Sequence, residues 1–260
     1  MRTLNLFVFL FTAVAIHAQI DSANISEYFN NHSGCIVIYD KIREKYFRYD
    51  EQRCAERFSP ASTFKIPNSL IGLETSVIKD ADFVIEWDGI KRWISDWNKD
   101  HTLRTAIQVS CVPYYQELAR RVGRERMVKY IDALSYGNGK IGEKIDTFWL
   151  DNSLKISADE QVEFLKRFYK YNLPFSKRSI DIVKDIMSEE IYGESKLKFK
   201  TGTGHKEDGS WIGWLVGYIE KEKDVYFFAF NIEGKTFEET AALRNKTSRE
   251  ILFSLKILQK

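Results

Sequence analysis

Strand-like stretches occupy both ends of this 260-residue chain and helical ones its middle, and that order constrains the fold more than any single motif. Residues 35–40 and 45–49 gather apolar side chains around a polar turn at 41–44, which predicts an antiparallel hairpin. Residues 196–201, 211–219 and 225–232 are again strand-like, broken by Gly202 and Gly204 and by a charged turn at 220–224. Between them, 83–135 reads as helical, with amphipathic segments at 114–123 and 124–134 parted at Gly123. Ser157 begins a capping box with Glu160, predicting a helix to about Tyr171, and a last helix spans about 238–258. Such an order gives an α+β fold. Its central antiparallel sheet is formed from both chain ends and flanked by terminal helices, with a mainly helical lobe inserted.

The first residues stand apart from that fold. Arg2 precedes an apolar run through Leu6 and Ala15, with small residues at Ala13, Ala15 and Ala18, which predicts a signal peptide over about 1–18 cleaved after Ala15 or Ala18. The run falls short of the roughly 20 residues needed to span a bilayer, so export to the periplasm is expected, with no stable membrane insertion. Residues 19–260 are then long enough for one domain with a substantial core, and no repeat or proline-rich linker divides them. Charges of both signs are interspersed and sum to +2, falling to +1 once Arg2 is removed, which excludes a nucleic-acid footprint. Cys35 and Cys54 flank the first hairpin and could pair in an oxidising compartment, leaving Cys111 as a lone buried thiol. His101 and His205 lie far apart and no Cys-x-x-Cys occurs, so no metal site is expected.

Chemistry concentrates at 59–68. Pro60 sets a turn, Ser62 follows, and Ile66, Leu70, Ile71 and Leu73 continue as a largely buried helix, which puts Ser62 in the first helical turn. Lys65, three residues on, shares its face, so the amine can reach the hydroxyl. A serine attacks a carbonyl only if its proton is taken as the bond forms, and a lysine can take it only when neutral. Burial beside Phe64 and Ile66 favours the neutral amine. The pair alone decides little, since Ser-x-x-Lys arises by chance about once in a chain of this size and recurs at Ser76/Lys79 and Ser195/Lys198. Ser62 could equally be an ordinary helix-start serine.

The rest of the set is more specific. Ser110-Cys111-Val112 precedes Pro113 and is expected on an exposed loop. Tyr136-Gly137-Asn138 is a turn between helices, and Lys200-Thr201-Gly202 ends a predicted strand. There a glycine admits a close backbone approach and a lysine offers a cation to an anionic group. With Phe148-Trp149-Leu150 and Trp211-Ile212-Gly213-Trp214, these motifs occur in the order and relative positions of the serine β-lactamase and penicillin-binding superfamily. In detail the chain resembles the class D β-lactamases, the oxacillinases, over essentially its whole mature length, including the similarity of Leu243-Arg244 to the arginine-bearing segment of that family.

The resemblance implies a β-lactamase/transpeptidase-like fold, a β-lactam substrate and a role for each matched residue. Ser62 is acylated by the β-lactam carbonyl. Lys65 combines with CO2 from bicarbonate, giving an N-carboxylated general base, and no other cofactor is implied. Trp149 donates its indole N–H to that group, while Val112 and Leu150 shield it. Ser110 relays a proton to the departing nitrogen. Lys200, Thr201 and Arg244 bind the substrate carboxylate beside Gly202, and the backbone N–H groups of Ser62 and Thr203 stabilise the oxyanion. A β-lactam sensor that stays acylated and a peptidoglycan transpeptidase share the serine and lysine and remain as alternatives. The sequence leaves open the substrate spectrum and whether the protein is a monomer or a homodimer.

Overall fold

The computed structural model describes residues 22–259, with the side chains of 22–24 left aside. The expected signal segment, residues 1–18, lies outside the described residues. The chain opens with helix α1 (Ser22–Phe29), then strands β1 (Gly34–Asp40) and β2 (Lys45–Tyr49), which form the expected hairpin with Asp40 opposite Lys45. A short helix α2 (Glu51–Ala55) and a single 3-10 turn (Ala61–Phe64) lead into α3 (Lys65–Glu74).

The stretch expected to be helical from residue 83 holds only a short 3-10 turn (Ser95–Trp97) before its first α-helix begins at residue 103. A two-stranded ladder, β3 (Val84–Ile85) with β4 (His101–Thr102), closes a loop in which short polar side chains cap backbone N–H groups. Asp88 accepts from the Ile90 N–H at 3.1 Å, Asp100 from Trp87 at 2.8 Å and Asn98 from Arg92 at 2.7 Å. These bonds compete with a helix and win. Helices α4 (Leu103–Gln108), α5 (Val112–Val122) and α6 (Arg124–Leu134) follow, the last two meeting at Gly123, whose φ of 79° ends one and begins the other. Helix α7 (Ala158–Tyr169) carries the expected capping box, with the Glu160 N–H donating to Ser157 Oγ and the Ser157 N–H to Glu160 Oε2. Helix α8 (Lys177–Ile186) and strand β5 (Ser188–Tyr192) were not anticipated from the sequence. Long strands β6 (Ser195–His205), β7 (Trp211–Lys221) and β8 (Asp224–Gly234) precede the last helix, α9 (Phe237–Ser254). Gly202 and Gly204 do not break β6, which pairs with β7 through both.

The six-stranded sheet runs β2-β1-β8-β7-β6-β5 with every neighbour antiparallel, so it is built from both chain ends, as expected, with β1 from one end paired to β8 from the other. Alternating residues face two cores. Val37, Tyr39, Val216 and Phe227 pack toward the helical lobe, whereas Ile36, Ile38, Phe228 and Phe230 pack beneath α1 and α9 against Ile25, Phe29, Ile251 and Leu252. Covering both faces explains why β1 and β8 read as nearly continuous apolar runs. Among the described residues no helix is long and apolar enough to cross a membrane. Cys35 and Cys54 are buried as free thiols, as is Cys111.

Candidate active site

Helix α3 begins where the sheet meets the helical lobe, and the turn before it is held under strain. Ala61 takes φ 47°, a left-handed value that costs a non-glycine residue about 1 kcal/mol or more. Its neighbours fix it there. The Thr63 N–H and hydroxyl both donate to the Pro60 carbonyl, at 3.1 and 2.7 Å, and Gln161 Nε2 donates to the Thr63 hydroxyl at 2.9 Å. The Trp214 indole donates to the Ser59 carbonyl and Ser59 Oγ to the Trp149 carbonyl, each at 2.9 Å. Ser62 therefore stands in a rigid turn with 8% of its surface exposed.

Lys65 Nζ donates to Ser62 Oγ at 2.7 Å, the contact that the three-residue spacing predicts. The lysine is 1% exposed, lies 5.2 Å over the Tyr115 ring and has no carboxylate partner among the described residues. Burial pushes its amine down from 10.5 to about 7. Trp149 stacks on Phe64 with ring centroids 5.6 Å apart, and its indole N–H is buried with no acceptor. An orphaned buried donor of this kind normally marks a partner absent from the protein's own atoms. Val112 and Leu150 are half-buried.

Strand β6 supplies the opposite wall. Strand β5 pairs with it only as far as Phe199, so from Lys200 to His205 it is bonded to β7 alone and its open edge runs against the Ser62 turn. A Cβ added to Gly202 would stand 3.0 Å from the Pro60 carbonyl and 3.2 Å from the Ser62 nitrogen, and one on Gly204 would meet Ala61 at 3.0 Å. The lack of side chains at these positions is what allows the approach. Lys200, 1% exposed, donates to Ser110 Oγ and, at 3.0 Å, to the Thr201 carbonyl. Burial drives its amine well below the ordinary lysine value, and the facing cations Lys65 and Arg244 lower it further.

Ser110 is not on an exposed loop. It is half-buried at φ 52° between α4 and α5, because Pro113 opens α5 instead of ending a segment. Proline suits a first helical turn, where its missing N–H has no partner to lose. Tyr136-Gly137-Asn138 is a brace. Asn138 donates to the Ser153 carbonyl and accepts from the Lys155 N–H, fixing the segment after Leu150, and Gly137 leaves no room for a Cβ beside the Lys155 carbonyl.

Arg244 reaches the site from α9. It is 7% exposed and donates to Thr203 Oγ1 at 2.7 Å and to the Gly202 carbonyl at 3.3 Å. Gly213 on β7 makes the reach possible, since a Cβ there would meet Thr240 at 2.9 Å and Arg244 at 3.2 Å. Burial lowers its guanidinium to about 10, with Arg249 contributing, which leaves it charged at neutral pH. The structure thus gathers Ser62, Lys65, Ser110, Lys200, Gly202, Thr203 and Arg244 at one cleft. Two buried amines and the charged guanidinium of Arg244 meet there with no acidic partner among the described residues, so the cleft offers N–H donors and a cation to an anion. Sequence reasoning missed Gln161 and Tyr115. Gln161, a polar residue on the apolar face of α7, was the one detectable signal.

Comparison with known proteins agrees with this geometry. The penicillin binding protein transpeptidase domain family matches residues 14–253. Beta-lactamase OXA-48 of Klebsiella pneumoniae is 42% identical over 233 residues, 89% of this chain and 87% of that protein. The solved structure of FUS-1 (OXA-85), a class D β-lactamase from Fusobacterium nucleatum subsp. polymorphum, is similar with a TM-score of 0.87 and 39% identity, covering 91% of this chain and 99% of that one. The regulatory protein BlaR1 of Bacillus licheniformis is 34% identical over 219 residues, 84% of this chain but 36% of its own length.

Proposed function

This chain belongs to the class D β-lactamases and is a β-lactam hydrolase, and on that footing we propose that it opens penicillins through an acyl-enzyme on Ser62, with N-carboxylated Lys65 as general base. The observation that carries the reading is Lys65 Nζ at 2.7 Å from Ser62 Oγ, in surroundings that press the amine toward neutrality. Only a neutral amine combines with CO2, and the orphaned indole N–H of Trp149 fits a carboxylate added there. The carboxylated lysine supplies an anionic base that takes the Ser62 proton and later that of water.

The protein's own groups do the rest. Ser62 Oγ bonds to the lactam carbonyl carbon as the C–N bond breaks, and Ser110, in contact with Lys200, delivers a proton to the leaving nitrogen. The Ser62 and Thr203 N–H groups receive the oxyanion between the strained turn and the open edge of β6. Lys200, Thr201 and Arg244 hold the substrate carboxylate in the anion-accepting cleft, while Val112 and Leu150 keep bulk water from Lys65. Residues 1–18 direct export to the periplasm, and 19–260 form the catalytic domain.

Time-resolved intact mass of the protein mixed with a simple penicillin in bicarbonate buffer tests this reading. An adduct on Ser62 that forms and clears as penicilloate accumulates is the expected result. An adduct that persists supports a receptor of the kind the BlaR1 likeness suggests, or a transpeptidase, and no adduct refutes the assignment of Ser62.

A further inference from the structure

Gln161 stands on the apolar face of α7, fully buried, and its amide lies between two hydroxyl groups. Its Nε2 donates to Thr63 Oγ1 at 2.9 Å and its Oε1 accepts from the Tyr136 hydroxyl at 3.4 Å. The Thr63 hydroxyl carries one proton and gives it to the Pro60 carbonyl at 2.7 Å, so toward Gln161 it can only accept. At the other end burial holds the Tyr136 phenol above the ordinary tyrosine value, so it keeps its proton and donates. The chain from Tyr136 through Gln161 and Thr63 therefore runs in one direction and ends on the Pro60 carbonyl. That carbonyl precedes Ala61, held at φ 47°, and the Ser62 N–H belongs to the next peptide, so its direction follows from that dihedral.

We propose that Gln161 is a positioning residue for the nucleophile, which by fixing the Thr63 hydroxyl on the Pro60 carbonyl keeps the Ala61 turn left-handed and Ser62 aimed at the substrate. A left-handed alanine relaxes unless its surroundings hold it. The Gln161 N–H holds Oγ1 in the one rotamer from which it reaches Pro60, and it polarises the hydroxyl so that the last bond of the chain strengthens. The same rotamer borders the open edge of β6, since a Cβ added to Gly202 would stand 3.2 Å from Thr63 Cγ2 as well as from the Ser62 nitrogen. A turned threonine would thus press on the place where the oxyanion is received. The core itself has no use for a primary amide here. A buried amide costs free energy unless both its ends are bonded, and a methionine would fill the space without that demand. The inference rests on the acyl-enzyme reading above and assigns the aim of Ser62 to a residue on another element.

Single-turnover acylation by benzylpenicillin, with urea unfolding alongside, tests it on Gln161→Met, Thr63→Val, Thr63→Ser and the Gln161→Met/Thr63→Val pair. Gln161→Met and Thr63→Val should each lower the acylation rate constant on the order of tenfold, while the dissociation constant of the penicillin, set by the anion subsite, stays within about twofold. Thr63→Ser, which keeps the hydroxyl, should retain most of the wild-type rate. The pair should be no slower than the slower single variant, because both changes remove the same contact. Wild-type rates in both single variants, losses that multiply in the pair, or a loss confined to the unfolding midpoint or to penicillin binding overturn the role. If one single variant does not fold, the other decides together with Thr63→Ser. A wild-type protein that takes no acyl group overturns the acyl-enzyme reading and this role with it, whereas a wild type that acylates beside unimpaired variants overturns this role alone.

Discussion

Replacing Lys65 by methionine should stabilise the fold while destroying its activity. Burial moves the amine from 10.5 to about 7, and one pK unit is worth about 1.4 kcal/mol. The native state therefore carries a penalty that reaches about 5 kcal/mol for this group once the pH is below about 7. Between about pH 7 and 10.5 the unfolded chain holds the Lys65 proton and the folded chain does not, so wild-type stability rises with pH across that window. Below about pH 7 both states are protonated and the penalty is complete; above about 10.5 neither is, and it vanishes. Methionine nearly preserves the length and packing of the side chain against Phe64 and Tyr115, and it gives up one hydrogen bond to Ser62, worth about 1 kcal/mol. Lys65→Met should thus be more stable than wild type by about 4 kcal/mol at about pH 6, with the gain shrinking steadily toward pH 10. Urea unfolding across this range in CO2-free buffer measures it, since carboxylation of the wild-type lysine would mask the penalty. A variant less stable than wild type at low pH, or a difference that ignores pH, refutes the reasoning.

Other perturbations separate the remaining roles. Trp149→Phe should slow deacylation on the order of 100-fold and acylation far less, with wild-type turnover falling when bicarbonate is stripped and recovering on its return; equal loss in both steps in a single-turnover experiment would mean the tryptophan only packs. Arg244→Ala should raise KM for carboxylate-bearing β-lactams by about 10- to 100-fold with a smaller change in kcat, and an unaltered KM would remove it from the anion subsite. Gly202→Ala places a methyl 3.0 Å from the Pro60 carbonyl and 3.2 Å from the Ser62 nitrogen, so acylation should slow by about tenfold or more with little change in unfolding midpoint. Normal acylation by that variant would show that the approach of β6 to the turn is not needed.

The reach of the sequence follows the range of each interaction. The hairpin of β1 and β2, the capping box at Ser157 and the Ser62/Lys65 contact were all legible, because each is made by residues within a few positions of one another. The order of strands and helices also foretold one sheet built from both chain ends, since strand-like ends around a helical middle have few ways to share a sheet, while the pairing of β1 with β8 came from the structure. What failed locally failed for a physical reason. The loop at 83–102 has helix-like apolar spacing, but aspartate and asparagine side chains take its backbone N–H groups, and Pro113 starts a helix although its place after Val112 suggests the end of a segment. Only the tertiary structure could decide that Arg244, in a basic and polar stretch, is buried against Thr203. Only it could show that β5 stops at Phe199 and leaves an open edge facing Ser62, or that Trp93 meets Phe237 across two lobes. Those facts depend on where distant elements come to rest, which is set by the burial of two sheet faces at once, and no local pattern encodes it.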